Sequence, residues 1–205
     1  TPKDRKRDLP YPMMSLNKVK TIDELIEWAK QFTGKFVITP KLDGLSVGFF
    51  TGEEDVPAFT RGDGKVGQDC SAHVKYITSK VASKEIGDGW VRGEIIFTND
   101  NFNKFKERHP EAKNSRNSAT GLINGDFDRA KIVDYSDLSI VCYNFSYDSY
   151  LDKTEQLDKL NLNAPLLSHC DIPYITCTIE DLQKEGVRDL LFHLFNEWRE
   201  MFPMD

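Results

Sequence analysis

Five runs of β-branched and aromatic residues, KFVIT, LSVGFF, VPAFT, GWVRGEIIFT and DLSIVCYNFS, recur along the chain at irregular intervals, with amphipathic segments between some of them and only turns between others. That mixture lacks the regular strand-helix-strand alternation of a parallel sheet. It predicts an α+β fold with largely antiparallel sheets and packed helices. KFVIT, LSVGFF, the acidic turn TGEED and the returning VPAFT together predict a hairpin across residues 36 to 60. GWVRGEIIFT (89 to 98) and DLSIVCYNFS (137 to 146) are the other two strong strands. Thr21 and Glu24 form a capping box ahead of Ile22, Leu25, Ile26, Ala29 and Phe32, so a helix is expected over 22 to 32, with Gly34 ending it. A short capped helix in NDNFNKFKER should turn Phe102 and Phe105 inward. Two more helices are expected to pack on the sheet: 153 to 160, and 188 to 202 with Leu190, Leu191, Leu194, Phe195, Trp198, Met201 and Phe202.

With 205 residues, 39% of them hydrophobic, the chain can bury a core as one large domain or two small ones. No apolar run is long enough for a membrane helix, and TPKDRKRDLP is not followed by a signal core, so a cytoplasmic protein without a membrane partner is expected. Cys70, Cys142, Cys170 and Cys177 lack paired metal or redox spacing and read as reduced thiols. His73, His109, His169 and His193 also lack ligand spacing, and are expected to be surface or internally satisfied residues, so no metal ligand is nominated. Charge is uneven: residues 1 to 146 carry 22 Lys and Arg against 21 Asp and Glu, and the remainder 5 against 12. Any DNA contact should therefore use the first two-thirds of the chain.

The stretch FVITPKLDGLSVGFF places a lysine and an aspartate inside a β-like run. Alternation puts Thr39, Lys41 and Asp43 on one side and Leu42 on the other, while Pro40 removes a ladder donor and Gly44 permits close approach. Taken alone, KLDG reads as an ordinary strand-end ion pair. Three more motifs add to it. TRGDGKVGQD (60 to 69) gathers three glycines around Arg61 and Asp63. VRGEI (91 to 95) sets Arg92 and Glu94 on one face of a strand with Gly93 on the other, and NSRNSATG (114 to 121) offers Arg116 among small residues, suited to a phosphate or ribose.

In order and spacing these motifs resemble the adenylation (nucleotidyltransferase) domain of NAD-dependent DNA ligases across nearly the whole chain. PMMSL is similar to that family's PMLSL, KLDGLSV to its nucleophile motif, TRGDGKVGQD to TRGDGxxGED, SRNSATG to PRNAAAG, and LSIVCYNF to the strand carrying an adenine-stacking tyrosine. The resemblance implies the nucleotidyltransferase fold of DNA ligases and mRNA capping enzymes. It implies that Lys41 attacks the α-phosphate of NAD, held neutral by desolvation and by cations such as Arg61 or Arg116. Asp43 would orient the lysine or help hold a metal, and Arg116 would stabilise phosphate charge. Glu94 and Arg61 would contact the ribose, Tyr143 would stack on adenine, and Ser15, Leu16 and Thr39 would line the nucleotide pocket. Magnesium is the implied metal, and nicked double-stranded DNA the second substrate.

The pattern departs from the family at several points. Thr39 stands where relatives carry a glutamate that reads the adenine amino group, Gln68 replaces the glutamate of GED, and Asn124 replaces an arginine. Residues 1 to 20 read as a lead-in segment and 21 to 205 as an adenylation domain incomplete at its C-terminus, with Asp205 at the Asp of a DGVVIK-type strand. A truncated ligase, or one subunit of a split ligase whose partner supplies the remaining strands and an OB domain, is expected. A degenerate module that binds nucleotide or a partner without chemistry is the alternative. An ATP-using ligase or capping enzyme shares KxDG but not the TRGDG and SRNSATG loops.

Overall fold

A computed structural model describes residues 5 to 51, 56 to 78, 88 to 146, 151 to 163 and 170 to 204. Its strands, in chain order, are β1 (Lys6–Asp8), β2 (Phe36–Ile38), β3 (Leu45–Thr51), β4 (Ala58–Thr60), β5 (Val66–Gln68), β6 (Gly89–Phe97), β7 (Leu138–Ser146) and β8 (Ile175–Cys177). Its helices are α1 (Ile22–Ala29), α2 (Ser71–Ile77), α3 (Asn99–Arg108), α4 (Ser115–Asn124), α5 (Ile132–Ser136), α6 (Lys153–Leu162), α7 (Ile179–Leu182) and α8 (Val187–Met201). The main sheet runs β4-β3-β6-β7, every pair antiparallel, and two small antiparallel pairs, β1 with β5 and β2 with β8, flank it. The α+β architecture is therefore as the sequence predicts.

Alternation along β6 sorts the two faces. Val91, Ile95 and Phe97 point into a core closed by α2, α3, α4 and α5, whose buried members include Phe105, Ala119, Ile123 and Tyr135. Ile96 points the other way, into a smaller cluster with Leu42, Val141, Leu157, Ile172 and Phe202. That second layer is α6 and the polypeptide on either side of α8, and it carries the loop holding Lys41. Phe105 is buried and Phe102 packs against the core, as the NDNFNKFKER pattern requires.

Three expectations are corrected. KFVIT does not join the hairpin: β3 and β4 pair, but β2 pairs with β8, so residues 39 to 44 form a connection between two sheets. The TGEED turn falls mostly outside the described residues. Helix α1 stops at Ala29, where the Lys30 N–H closes the last turn, and Phe32 is left exposed. Helix α8 forms but lies against α3 rather than on the sheet; it buries Trp198, while Leu190 and Met201 are exposed.

The lead-in segment is tied to the body by Arg5. Its guanidinium donates to the carbonyls of Asp69, Ile123, Asn124 and Gly125, three of them at the C-terminal end of α4, where a helix has unpaired acceptors and favours a cation. Gln68 adds Nε2 to the Asn124 carbonyl at 3.1 Å, so two of the three positions that depart from the family's charged residues meet in one cap. Arg5→Ala should cost about 2 kcal/mol, the scale of hydrogen bonds to a charged donor, read as a lower urea midpoint with unchanged m.

Candidate active site

Ser46 on β3 lies opposite Glu94 on β6, on the face away from the larger core, and its hydroxyl donates to Glu94 Oε2 at 2.7 Å. Glu94 is 9% exposed. Burial pushes its carboxyl above the usual range, against the pull of the Ser46 hydrogen bond, the charges of Arg116 and Arg61 and the Gly44 N–H. A carboxylate so surrounded keeps lone pairs free for further donors.

Each neighbour arrives from a different element. Arg61 follows β4, its backbone N–H held by the Ser46 carbonyl at 3.0 Å. The turn that places it needs glycine: Gly62 and Gly64 have φ of 54° and 98°, and Asp63 Oδ1 accepts from the N–H groups of Lys65 and Val66. Arg116 comes from the first turn of α4. SRNSATG is thus a helix rather than an open loop, with the Asn114 side chain capping it by accepting from the Asn117 N–H at 2.8 Å. Arg116 Nη1 donates to Asp43 Oδ1 at 3.0 Å, bridging α4 to the lysine loop.

That loop is pinned on both sides. Leu42 is buried and bridges to Met204, and the Asp43 N–H donates to the Pro203 carbonyl at 2.9 Å. Gly44 packs so tightly on β6 that a Cβ there would lie 2.3 Å from the Ile95 carbonyl oxygen and 2.6 Å from Ile96 Cγ2. Gly44 is therefore required by the contact with β6, not by a ligand or by an unusual φ. Lys41 is exposed beside this contact.

Tyr143 owes its direction to a β-bulge. Arg92 pairs with Asn144 and Gly93 with Cys142, which leaves Tyr143 as the extra residue of β7. Its phenol is pushed up by burial and by the neighbouring Glu94, against a hydrogen bond with Ser46. Asp43, Arg116, Glu94, Arg61, Ser46 and Tyr143 are therefore connected to one another, and Lys41 stands exposed two residues before Asp43. Thr39 is half-buried in the same connection, whereas Ser15 and Leu16 are exposed on the lead-in segment, and no described hydrogen bond ties either to the sheet.

Sequence reasoning passed over Ser46, which belongs to the LSV of KLDGLSV, and Lys153, the first residue of α6. Among the described residues no group of three His, Cys, Asp or Glu could hold a metal ion, and no helix is long and apolar enough to cross a membrane. Among the described residues no disulfide joins Cys70, Cys142, Cys170 or Cys177.

Around the connection between β2 and β3, the turn after β4, helix α4 and strands β6 and β7 bring together two arginines, a buried carboxylate and a tyrosine. The chain belongs to the NAD-dependent DNA ligase adenylation domain family, whose model matches residues 5–201. A protein of Invertebrate iridescent virus 6 that bears the name of a DNA ligase is 35% identical over 98% of this chain and 32% of its own length. A DNA ligase of Acanthamoeba polyphaga mimivirus is 31% identical over 69% of this chain and 22% of its own length. The chain thus spans about a third or less of these relatives. Among solved structures, an RNA ligase of Naegleria gruberi with AMP and Mn aligns over 93% of this chain and 51% of its own, with a TM-score of 0.43 and 12% identity.

Proposed function

We propose that this chain is the adenylating part of an NAD-dependent DNA ligase, with residues 1 to 20 as its lead-in and 21 to 205 as its adenylation domain. The observation that carries the reading is Glu94, buried, held by Ser46 and flanked by Arg61, Arg116 and Tyr143 beside the Lys41 loop. Tyr143 would stack on adenine and Thr39 would accept one hydrogen bond from its amino group. Glu94 would accept from ribose hydroxyls, with Arg61 at the same sugar, and Ser15 and Leu16 would cover the nucleotide once bound. The Lys41 amine attacks the α-phosphorus of NAD, forming a P–N bond as the P–O bond to nicotinamide mononucleotide breaks; the amine proton leaves to solvent. Arg116, already aligned by Asp43, would turn toward the phosphate and stabilise its transition-state charge. AMP would then pass to the 5′-phosphate of nicked DNA. Among the described residues no group of three His, Cys, Asp or Glu could hold magnesium, so that ion would arrive on the substrate phosphates.

Incubation with NAD or ATP and magnesium, read by intact mass and peptide mapping, tests the reading. The expected result is one AMP per chain, from NAD and not ATP, on the peptide containing Lys41. No adduct from either nucleotide, with or without the product of a neighbouring gene, would favour the binding-module alternative, and an adduct only with that product would favour a split ligase.

A further inference from the structure

The adenine platform has a support that lies outside every motif singled out in the sequence. As the inserted residue of the β7 bulge, Tyr143 has left the regular ladder with β6, and its carbonyl needs a donor from elsewhere. The Lys153 ammonium, at the first position of α6, reaches back to supply it. That placement is costly. A cation at the N-terminus of a helix opposes the dipole, and the Asp152 side chain beside it is already committed to capping Glu155 N–H. Helix α6 is itself anchored to the strand next to the bulge, with Asn144 Nδ2 donating to Gln156 Oε1 at 3.3 Å.

We propose that Lys153 is a positioning residue that sets the angle of the Tyr143 ring by holding the bulge carbonyl, and thereby sets affinity for the adenine end of the nucleotide. The proposal rests on the reading of Tyr143 as the adenine platform. A titration accompanies it. Burial, with the Arg92 charge added, holds the Lys153 amine down to about 8. The charge that reaches it from another element is that of Arg92 on β6, and β7 presents the Tyr143 carbonyl to it. On its own helix lie Asp152 and Glu155, both engaged in the capping box, and Asp158, engaged with Tyr174. Below pH 8 the charged donor holds the carbonyl firmly; as pH rises through 8 the donor becomes a neutral amine and its bond weakens.

AMP binding to the whole chain, measured by calorimetry from pH 6.5 to 9.5, provides the test. Wild type should lose affinity as pH rises, Lys153→Arg should stay tight and flat with pH, and Lys153→Met should bind about tenfold more weakly and also be flat. A residue that only anchors α6 would lower the melting temperature of Lys153→Met and leave AMP affinity and its pH profile as in wild type, which would overturn the proposal. Tyr143→Ala separates the two levels: if it leaves AMP affinity unchanged, the platform reading fails. If it weakens binding while Lys153→Met does not, the positioning role alone fails.

Discussion

Gly44→Ala is expected to abolish formation of the AMP adduct although Lys41 and every other polar group of the site remain. A methyl at this position would sit 2.3 Å from the Ile95 carbonyl oxygen, a strand atom held between β3 and β7, and 3.0 Å from Glu94 Cγ. Neither can yield cheaply, because β6 is paired on both sides. The loop must move instead, by about an ångström, and Lys41 and Asp43 move with it. Misplacement on that scale costs on the order of a hundredfold in rate, and strain on the Ile96 side would add to it. Gly125→Ala is the control, since its methyl would approach nothing closer than 3.7 Å. Adduct formation by Gly44→Ala within threefold of wild type, in protein with native circular dichroism, would show that the loop is not located by its contact with β6.

A drop from neutral pH to pH 4 should remove about 3 kcal/mol of stability through one residue, His73. Although expected to be surface or satisfied, this histidine is 1% exposed on α2, meets Phe127 and Tyr135 edge-on at 5.5 and 5.4 Å, and has no hydrogen-bond partner at either ring nitrogen. Burial, with the Arg5 charge added, holds it down to about 4 against the opposing pull of Asp126 and Asp69. In the unfolded chain it takes up a proton near pH 6.5, whereas in the folded chain it resists until about 4. The unfolded state therefore binds the extra proton throughout that interval, so stability is complete above 6.5 and declines as pH falls to 4. Carboxylates such as Asp181, held down to about 2 by Lys184 and by Thr178, add their own loss at lower pH. Urea unfolding of wild type and His73→Phe across this range isolates the histidine by difference. Parallel curves for the two proteins would remove His73 from the account.

Local periodicity carried much of the fold. Strands β6 and β7 and helices α1 and α3 each contain enough alternating or helical spacing to announce themselves. The partner of β2 does not: KFVIT reads as β, but its pairing with the three-residue β8 across most of the chain leaves no local mark. Helix α4 was obscured for a different reason. Its first turn is Ser, Arg, Asn and Ser, three of them poor helix formers, and only the Asn114 cap signals its start. At the site, Lys41, Asp43, Arg61, Glu94, Arg116 and Tyr143 were nominated on motif order; in the fold Arg116 bonds Asp43, and Arg61 and Arg116 bear on Glu94 beside Tyr143. Ser46 was hidden because an outward-facing serine in a strand is unremarkable until its cross-strand partner is known to be a buried carboxylate. Lys153 was hidden because a lysine after a helix cap ordinarily faces water, and the bulge it serves cannot be read from β7 alone.

The hydrogen bond from Asp43 to the Pro203 carbonyl, with the Leu42–Met204 bridge beside it, joins the Lys41 loop to polypeptide far along the chain from it. High contact order at this one point means that the main sheet can collapse while the loop is still unanchored, so chemical competence should appear later in refolding than secondary structure does.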